Sequence, residues 1–158
     1  MLRRGYDNQV CSVAWALEVV GERWTLLIVR DALMGITRFG DFQRRLGVVA
    51  SVLASRLNRL ASTGIIERVP YQQHPTRYEY RLTPKGRELG LVVLALMRWG
   101  DQHLAGAAGP PKTAHHQGCG GQVEVRLLCP ACTSEVPPED VVTRSCRHPQ
   151  PVGRPDPP

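Results

Sequence analysis

The sequence lacks any hydrophobic run long enough to cross a membrane. No stretch approaches the roughly 18 consecutive apolar residues that a membrane-spanning helix requires. The first residues, MLRRGYDNQ, also lack the apolar segment of a signal peptide. We therefore expect a cytoplasmic protein with no membrane partner. In that reducing compartment its five cysteines are thiols, metal ligands or redox sensors before they are structural disulfides.

Acidic residues are scarce in the centre of the chain. Between residues 38 and 87 the acids are only Asp41, Glu67 and Glu79. The basic residues of the same stretch form a larger set, namely Arg38, Arg44, Arg45, Arg56, Arg59, Arg68, Arg77, Arg81, Lys85 and Arg87. A surface that is merely solvated usually mixes the two signs more evenly. This imbalance, within a net charge of +6, favours a polyanionic partner.

The sequence also lacks the residue patterns of a catalytic site. No serine and histidine stand in a triad-like context, and no glycine-rich phosphate loop is present. The one dense group of cysteines and histidines has the closed four-ligand spacing of a structural metal site, which leaves no coordination position for a substrate. We therefore predict that the protein is not an enzyme.

Residues 37–63 have the pattern of two short helices joined by a tight turn. Phe39, Phe42 and Leu46 recur at helical spacing in the first segment, and a leucine stripe does so in the second, at Leu53, Leu57 and Leu60. Gly47 lies between the segments, where the chain reverses. The face opposite the leucines is small, polar and basic. This pattern predicts a helix-turn-helix whose second helix fits a DNA major groove.

The residues after this motif predict a β-hairpin and then a long helix. Residues 65–71 and 77–82 alternate as strands around a turn at 72–76, and a hairpin directly after a helix-turn-helix is a wing. Thr83 and Pro84 are typical of a helix start, and that helix is expected to run to about Ala105. The predicted fold class is mainly α with a small β-hairpin (α+β).

Two predicted helices have more apolar surface than a small winged domain covers. They are residues 11–20, CSVAWALEVV, and the middle of the helix after the wing, LVVLALMRW. A twin subunit would bury both patches twice about a two-fold axis, so we expect a homodimer. The alternative is that the long helix lies in an intramolecular core.

Three segments, CSVAWALEVVGERWTLLIVRDALMGITRFGDFQRRLG, VLASRLNRLASTGIIERVPY and PTRYEYRLTPKGREL, resemble the HxlR-type winged helix-turn-helix regulators, relatives of the MarR group. The resemblance covers residues 11–100. It implies a homodimeric transcriptional regulator, associated with the nucleoid, that binds pseudo-palindromic operators in double-stranded DNA. It also implies a recognition helix at about 50–63 and a wing at about 70–78. Val49 and Ala50 depart from the capping or basic residues common in the family.

The candidate DNA-binding residues lie on the predicted recognition helix, at the start of the helix before it, and on the wing. Arg38 and Arg77 are candidates for phosphate or minor-groove contacts, since such contacts supply affinity. Side chains on the outer helix face could reach base edges, and His74 lies at the wing tip; the full set is Arg38, Ser51, Ser55, Arg56, Asn58, Arg59, His74 and Arg77. Arg56 lies between the polar face and the leucines, which favours a structural or phosphate-clamping role.

Cys11 begins the first predicted helix, where the helix dipole lowers a thiol pKa. Some members of the resembled family use a cysteine in this position to sense oxidants or electrophiles. The alternative is a small buried thiol that packs as a hydrophobic residue.

The residues beyond the helical domain predict a separate module. We expect a flexible arm at 1–9, the winged domain at 10–106, a linker at 107–114, a zinc-ribbon-like module at 115–144 and a disordered proline-rich tail at 145–158. His116, Cys119, Cys129 and Cys132 form two pairs with metal-ligand spacing, and residues 122–128 could form short strands between them. A structural zinc, a Cys129/Cys132 redox dithiol and unliganded thiols all remain open, and His115, Cys146 and His148 are possible substitutes as ligands.

Two other functions remain alternatives to a plain DNA-binding regulator. One is a regulator that senses thiols or zinc through Cys11 or the C-terminal cluster, and the other is a winged helix that binds proteins. The basic, acid-poor helix face argues against the second. The sequence identifies no small-molecule effector.

Overall fold

The computed structural model describes Tyr6 and residues 10–144. The helices are α1 (Ser12–Val20), α2 (Thr25–Leu33), α3 (Phe39–Leu46) and α4 (Ala50–Ser62), followed by α5 (Pro84–Glu88) and α6 (Gly90–Leu104). The strands β1 (Ile66–Gln73) and β2 (Thr76–Leu82) form one antiparallel hairpin between α4 and α5. The mainly helical fold class with a small hairpin is confirmed. The predicted proline-rich tail, with Cys146 and His148, and most of the predicted N-terminal arm lie outside the described residues.

The core forms where α3 and α4 turn their apolar stripes towards each other and towards α2. Phe42 is fully buried, and so is the leucine stripe of α4, at Leu53, Leu57 and Leu60. Gly47 ends α3 with a φ of +62°, a left-handed conformation that glycine adopts without steric cost. The predicted helix-turn-helix is therefore present, with its leucines inside.

A buried carboxylate joins α2 to α3. Asp31 is completely buried and accepts hydrogen bonds from Arg30 Nε at 2.9 Å and Arg45 Nε at 3.4 Å. A buried charge is tolerated only when it is paired and hydrogen-bonded, and here two guanidinium groups satisfy it. The pairs hold α3 in place relative to α2.

The hairpin turn is tighter than the sequence indicated. The strands extend to Gln73 and from Thr76, so the turn consists of His74 and Pro75 rather than residues 72–76. Pro75 lies beyond the paired residues and costs the ladder no hydrogen bond. The Tyr80 amide also donates to the carbonyl oxygen of Thr37 at 2.7 Å, which attaches the hairpin to the chain just before α3.

One predicted helix was wrong. The single helix expected from Thr83 to about Ala105 is two helices, because the chain turns at Leu89 between α5 and α6. The segment predicted as one helix contains Gly86 and Gly90, and glycine weakens helices. Trp24 is the N-cap of α2 and has a φ of +79°. The capping role of Thr83 is as predicted, since its hydroxyl accepts from the Gly86 amide at 3.1 Å.

The described chain divides into two compact units, and the second begins at Arg98. The first contains the whole buried core. No described residue of the second unit is buried, and its regular structure beyond the end of α6 is limited to short 3-10 helices at Gly106–Ala108 and Pro138–Asp140 and two isolated β-bridges. The short strands expected at 122–128 are absent there. None of the described helices is long and apolar enough to span a bilayer.

Gly86 provides a test of the packing between α5 and the end of α4. A Cβ at Gly86 would lie 2.1 Å from the carbonyl oxygen of Ile65, so we expect Gly86→Ala to lower the free energy of unfolding by about 1–3 kcal/mol or more. Gly40→Ala is the control, because a Cβ there meets no heavy atom within 4 Å. Urea denaturation followed by circular dichroism measures both, and equal stabilities would contradict this account.

Candidate nucleic-acid interface

The outer face of α4 is polar and open to solvent. Ser51, Ser55, Asn58 and Arg59 are exposed, while every leucine of the helix is buried on the opposite side. The helix begins at Ala50 with no side-chain hydrogen bond to its first amides, since Val49 is the N-cap. Small side chains at the N-terminal end leave room for the helix backbone to approach another surface closely.

Arg56, which lies beside the leucine stripe of α4, points towards the rest of the domain. Arg56 donates from its terminal nitrogen to the Glu22 carboxylate at 2.7 Å and from Nε to the Arg23 carbonyl oxygen at 3.2 Å. Its side chain is only 22% exposed. Arg56 therefore joins α4 to the loop after α1, in agreement with the structural role favoured by its sequence position.

Asn58 and Arg59 lie on the exposed face but already have partners. The Asn58 side-chain oxygen accepts from Arg68 on β1, and Arg59 reaches the Glu18 carbonyl oxygen at 3.5 Å. Sequence reasoning missed Arg68 as a member of this surface. Only its position in the basic stretch indicated that Arg68 belongs to this surface, because the contact with Asn58 depends on how β1 passes α4.

Arg38 and Arg77 line one groove between the start of α3 and the hairpin. Arg38 lies over the Tyr71 ring, with its guanidinium carbon 4.7 Å from the ring centroid. The groove is lined by Arg38, Phe39, Gly40, Tyr71, Thr76, Arg77, Tyr78 and Tyr80. Two residues predicted to contact phosphate from separate elements are thus brought together. His74 is exposed at the turn, where its carbonyl oxygen accepts from the Gln72 side chain at 3.0 Å.

One acidic side chain lies beside this groove. Glu79 is 2.8 Å from Arg81 and 3.6 Å from Arg38. The hydrogen bond from Arg81 holds the pKa of Glu79 below its usual value, and the nearby charge of Arg38 lowers it further. Glu79 therefore stays ionised and orients two arginines at the edge of the hairpin.

Cys11 is the exposed N-cap of α1. The nearby backbone amides of Ala14 and Val13, at the start of α1, lower the pKa of its thiol. The side chain is open to solvent in the described chain, outside its buried core.

The four predicted metal ligands come together as two pairs. His116 Nδ1 lies 3.2 Å from Cys119 Sγ, and Cys129 is among the groups that influence the thiol of Cys132. The pKa of Cys132 is lowered by the Ser134 backbone amide first, then by the Ser134 hydroxyl and Cys129. Within residues 10–144, no three His, Cys, Asp or Glu side chains converge on one position. His115 is bound elsewhere, to Thr113 and to the Gly120 carbonyl oxygen.

A family model described as HxlR-like helix-turn-helix matches residues 19–107. The uncharacterized HTH-type transcriptional regulator Rv3095 of Mycobacterium tuberculosis is 47% identical over 130 residues, which cover 82% of each protein. The crystal structure of PA1607, a candidate transcription factor, is 35% identical, with a TM-score of 0.78 and coverage of 90% of this chain and 99% of that one. The redox regulator HypR in its oxidized form is 33% identical, with a TM-score of 0.54 over 59% of this chain and 97% of that one.

Proposed function

Because this chain belongs to the HxlR-like helix-turn-helix family of transcriptional regulators, we propose that it binds a specific DNA operator as a homodimer. The observation that carries this proposal is the placement of α4. Its leucines are fully buried and its serines, Asn58 and Arg59 are exposed, so one polar face projects from a fixed support. A single helix with such a face enters the major groove of B-DNA, which is about 12 Å wide.

Phosphate contacts on either side of α4 would fix how it lies in the groove. Arg38 and Arg77, which line the groove between α3 and the hairpin, supply positive charge beside the helix-turn-helix. Contacts to phosphate position a protein on the duplex but distinguish no bases. Asn58 and Arg59 are the base-contacting candidates, since asparagine pairs with adenine and arginine with guanine. Arg56, held by Glu22, has a supporting role.

DNA-binding measurements on variants separate these two roles. Arg77→Ala is expected to weaken binding to operator and random DNA alike and to reduce the slope of log affinity against log salt by about 1. Arg59→Ala is expected to weaken operator binding alone, by about 5- to 150-fold, the equivalent of about 1–3 kcal/mol of base discrimination. DNase I footprinting locates the operator in the intergenic DNA upstream of the protein's own gene, and gel shifts over a salt series then measure affinity.

Lys112→Ala is the charge-matched control, since it removes one positive charge from the predicted linker. It is expected to leave operator affinity within about twofold, because Lys112 belongs to neither the helix-turn-helix nor the hairpin. If the unmodified protein protects no DNA even at low salt, the DNA-binding proposal fails and a protein-binding winged helix takes its place.

The homodimer proposal rests on apolar side chains that the chain itself leaves uncovered. Val13 and Trp15 on α1 are 66% and 55% exposed, and Leu91 and Leu96 on α6 are 70% and 51% exposed. No residue of α6 is buried. Contiguous apolar surface of this kind marks an interaction site. A second copy is the occupant we propose, because two-fold symmetry covers each patch with its own equivalent and matches a pseudo-palindromic operator.

A charge introduced on α6 by substitution tests the dimer proposal. Leu96→Glu is expected to weaken self-association by at least about 100-fold, because symmetry buries the unpaired carboxylate twice in the interface. Light scattering coupled to gel filtration measures the mass, and circular dichroism checks that the variant is folded. Val142→Glu, at another exposed valine, should remain dimeric. A dimeric Leu96→Glu protein, or a monomeric parent, would refute the arrangement.

A second candidate function is redox control of the same DNA binding through Cys11. The supporting observation is the exposed thiol with a lowered pKa at the start of α1, next to the apolar residues of the proposed dimer interface. A thiolate is the reactive form of cysteine, so a lowered pKa increases reactivity near neutral pH. Oxidation there would change the charge and size of the α1 terminus.

The pH dependence of alkylation tests this thiol. Because the pKa of Cys11 is lowered, its thiolate persists to lower pH than that of an ordinary cysteine, and its alkylation rate should decline only as the pH falls through that lowered value. Iodoacetamide labelling followed by peptide mass spectrometry gives the profile. Hydrogen peroxide should release operator DNA from the parent but not from Cys11→Ser. Equal release from both proteins would eliminate Cys11 as the sensor.

A further inference from the structure

Two turns in the second unit have the same backbone conformation. In the first, residues 116–121, the His116 amide donates to the Gly121 carbonyl oxygen and the Gly120 amide donates to the His116 carbonyl oxygen, both at 2.8 Å. In the second, residues 129–134, the Cys129 amide donates to the Ser134 carbonyl oxygen at 2.9 Å, and the Thr133 amide donates to Cys129 at 2.8 Å. The hydrogen bonds thus join equivalent positions in both turns.

The two turns also share a left-handed residue at the fifth position. Gly120 has a φ of +72° and Thr133 a φ of +57°. Glycine adopts this conformation freely, but a β-branched threonine does so at a steric cost. The second turn therefore has a left-handed residue where its sequence disfavours one, and such strain indicates a functional role for the turn.

Each turn places a pair of metal-binding side chains at its first and fourth positions. His116 Nδ1 lies 3.2 Å from Cys119 Sγ in the first turn, and Cys129 and Cys132 hold the same two positions in the second. Such a pair occupies two corners of one zinc tetrahedron. Disulfide chemistry does not account for the repetition, because a histidine and a cysteine form no disulfide.

The second unit has no core that would otherwise keep these turns folded. No described residue from 98 to 144 is buried, and the two bridges, at His115 with Gln122 and at Leu128 with Glu135, are isolated. Units this small gain their folding energy from a disulfide or a metal when they lack apolar burial.

We propose that the two turns close on a single thiophilic divalent metal ion, best matched by zinc, with His116, Cys119, Cys129 and Cys132 as its four ligands. The pairs lie apart in the described structure, so binding requires the turns to approach each other. Residues 122–128, which join them, form no continuous strand. Binding releases the three thiol protons and leaves a neutral imidazole as the fourth donor. Four protein ligands close the coordination sphere, so the ion is structural.

Cobalt titration of the full-length, metal-free protein under reducing conditions tests the site. The expected result is saturation near one equivalent per chain, with thiolate-to-cobalt charge-transfer bands and the visible bands of tetrahedral cobalt, followed by their loss when zinc is added. Elemental analysis of the protein purified without chelator should give about one zinc per chain. His116→Ala, Cys119→Ser and Cys132→Ser should each weaken cobalt binding at least tenfold.

Matched variants identify which side chains bind the metal. His115→Ala and Cys11→Ser should keep the full cobalt spectrum, because neither residue belongs to the two pairs; Cys146→Ser should do the same. An unchanged spectrum in His116→Ala would overturn the ligand set. If the protein binds no cobalt at micromolar concentration, the proposed site is wrong. A Cys129–Cys132 disulfide, detected by mass spectrometry in protein freshly purified without added oxidant, would also overturn it.

Discussion

The structure depends above all on the burial of one side of α4. Leu53, Leu57 and Leu60 are completely buried against α2 and α3, and each buried leucine contributes about 1.5–3 kcal/mol to folding. This burial fixes the rotation of the helix about its own axis, because any other rotation would expose leucine and bury serine. The same interaction that stabilises the domain therefore decides which side chains remain available for DNA. Asp31, buried between two arginines, fixes the supporting helices in turn.

Much of this arrangement could be predicted from the sequence, because helical spacing is a local property. The apolar residues three and four apart located α3 and α4, and the alternation after Gly64 located the hairpin. The contacts of the polar face were not predictable in this way. Arg56 meets Glu22, which is 34 residues earlier in the chain, and Asn58 meets Arg68 across a change from helix to strand. Nothing in the local pattern records which distant partner a charged side chain will find.

In the C-terminal unit the sequence indicated the candidate side chains, but not the arrangement of the backbone. The spacing of histidine and cysteine named the four side chains from sequence alone, whereas the equivalence of the two turns became visible only in the backbone hydrogen bonds. Thr133 concealed that equivalence, since glycine is the residue expected at a left-handed position. The described apolar residues of this unit, none of which is buried, would not have indicated a folded segment. The proposed metal site would give this unit the folding energy that hydrophobic burial does not supply.

In the proposed dimer, the contacts of α5 set the distance between the two half-sites of the operator. The Thr83 hydroxyl donates to the Gly64 carbonyl oxygen at 2.7 Å, Lys85 donates to the Thr63 carbonyl oxygen at 2.8 Å, and the buried Gly86 backbone lies against Ile65. These contacts attach the end of α4 to α5. Only Leu89 separates α5 from α6, so α4 is also linked closely to α6. In a dimer formed through α6, the distance and angle between the two copies of α4 are set by this rigid connection. One base pair inserted between the half-sites rotates one against the other by about 35°. Spacer length is then as strict a requirement on the operator as its base sequence.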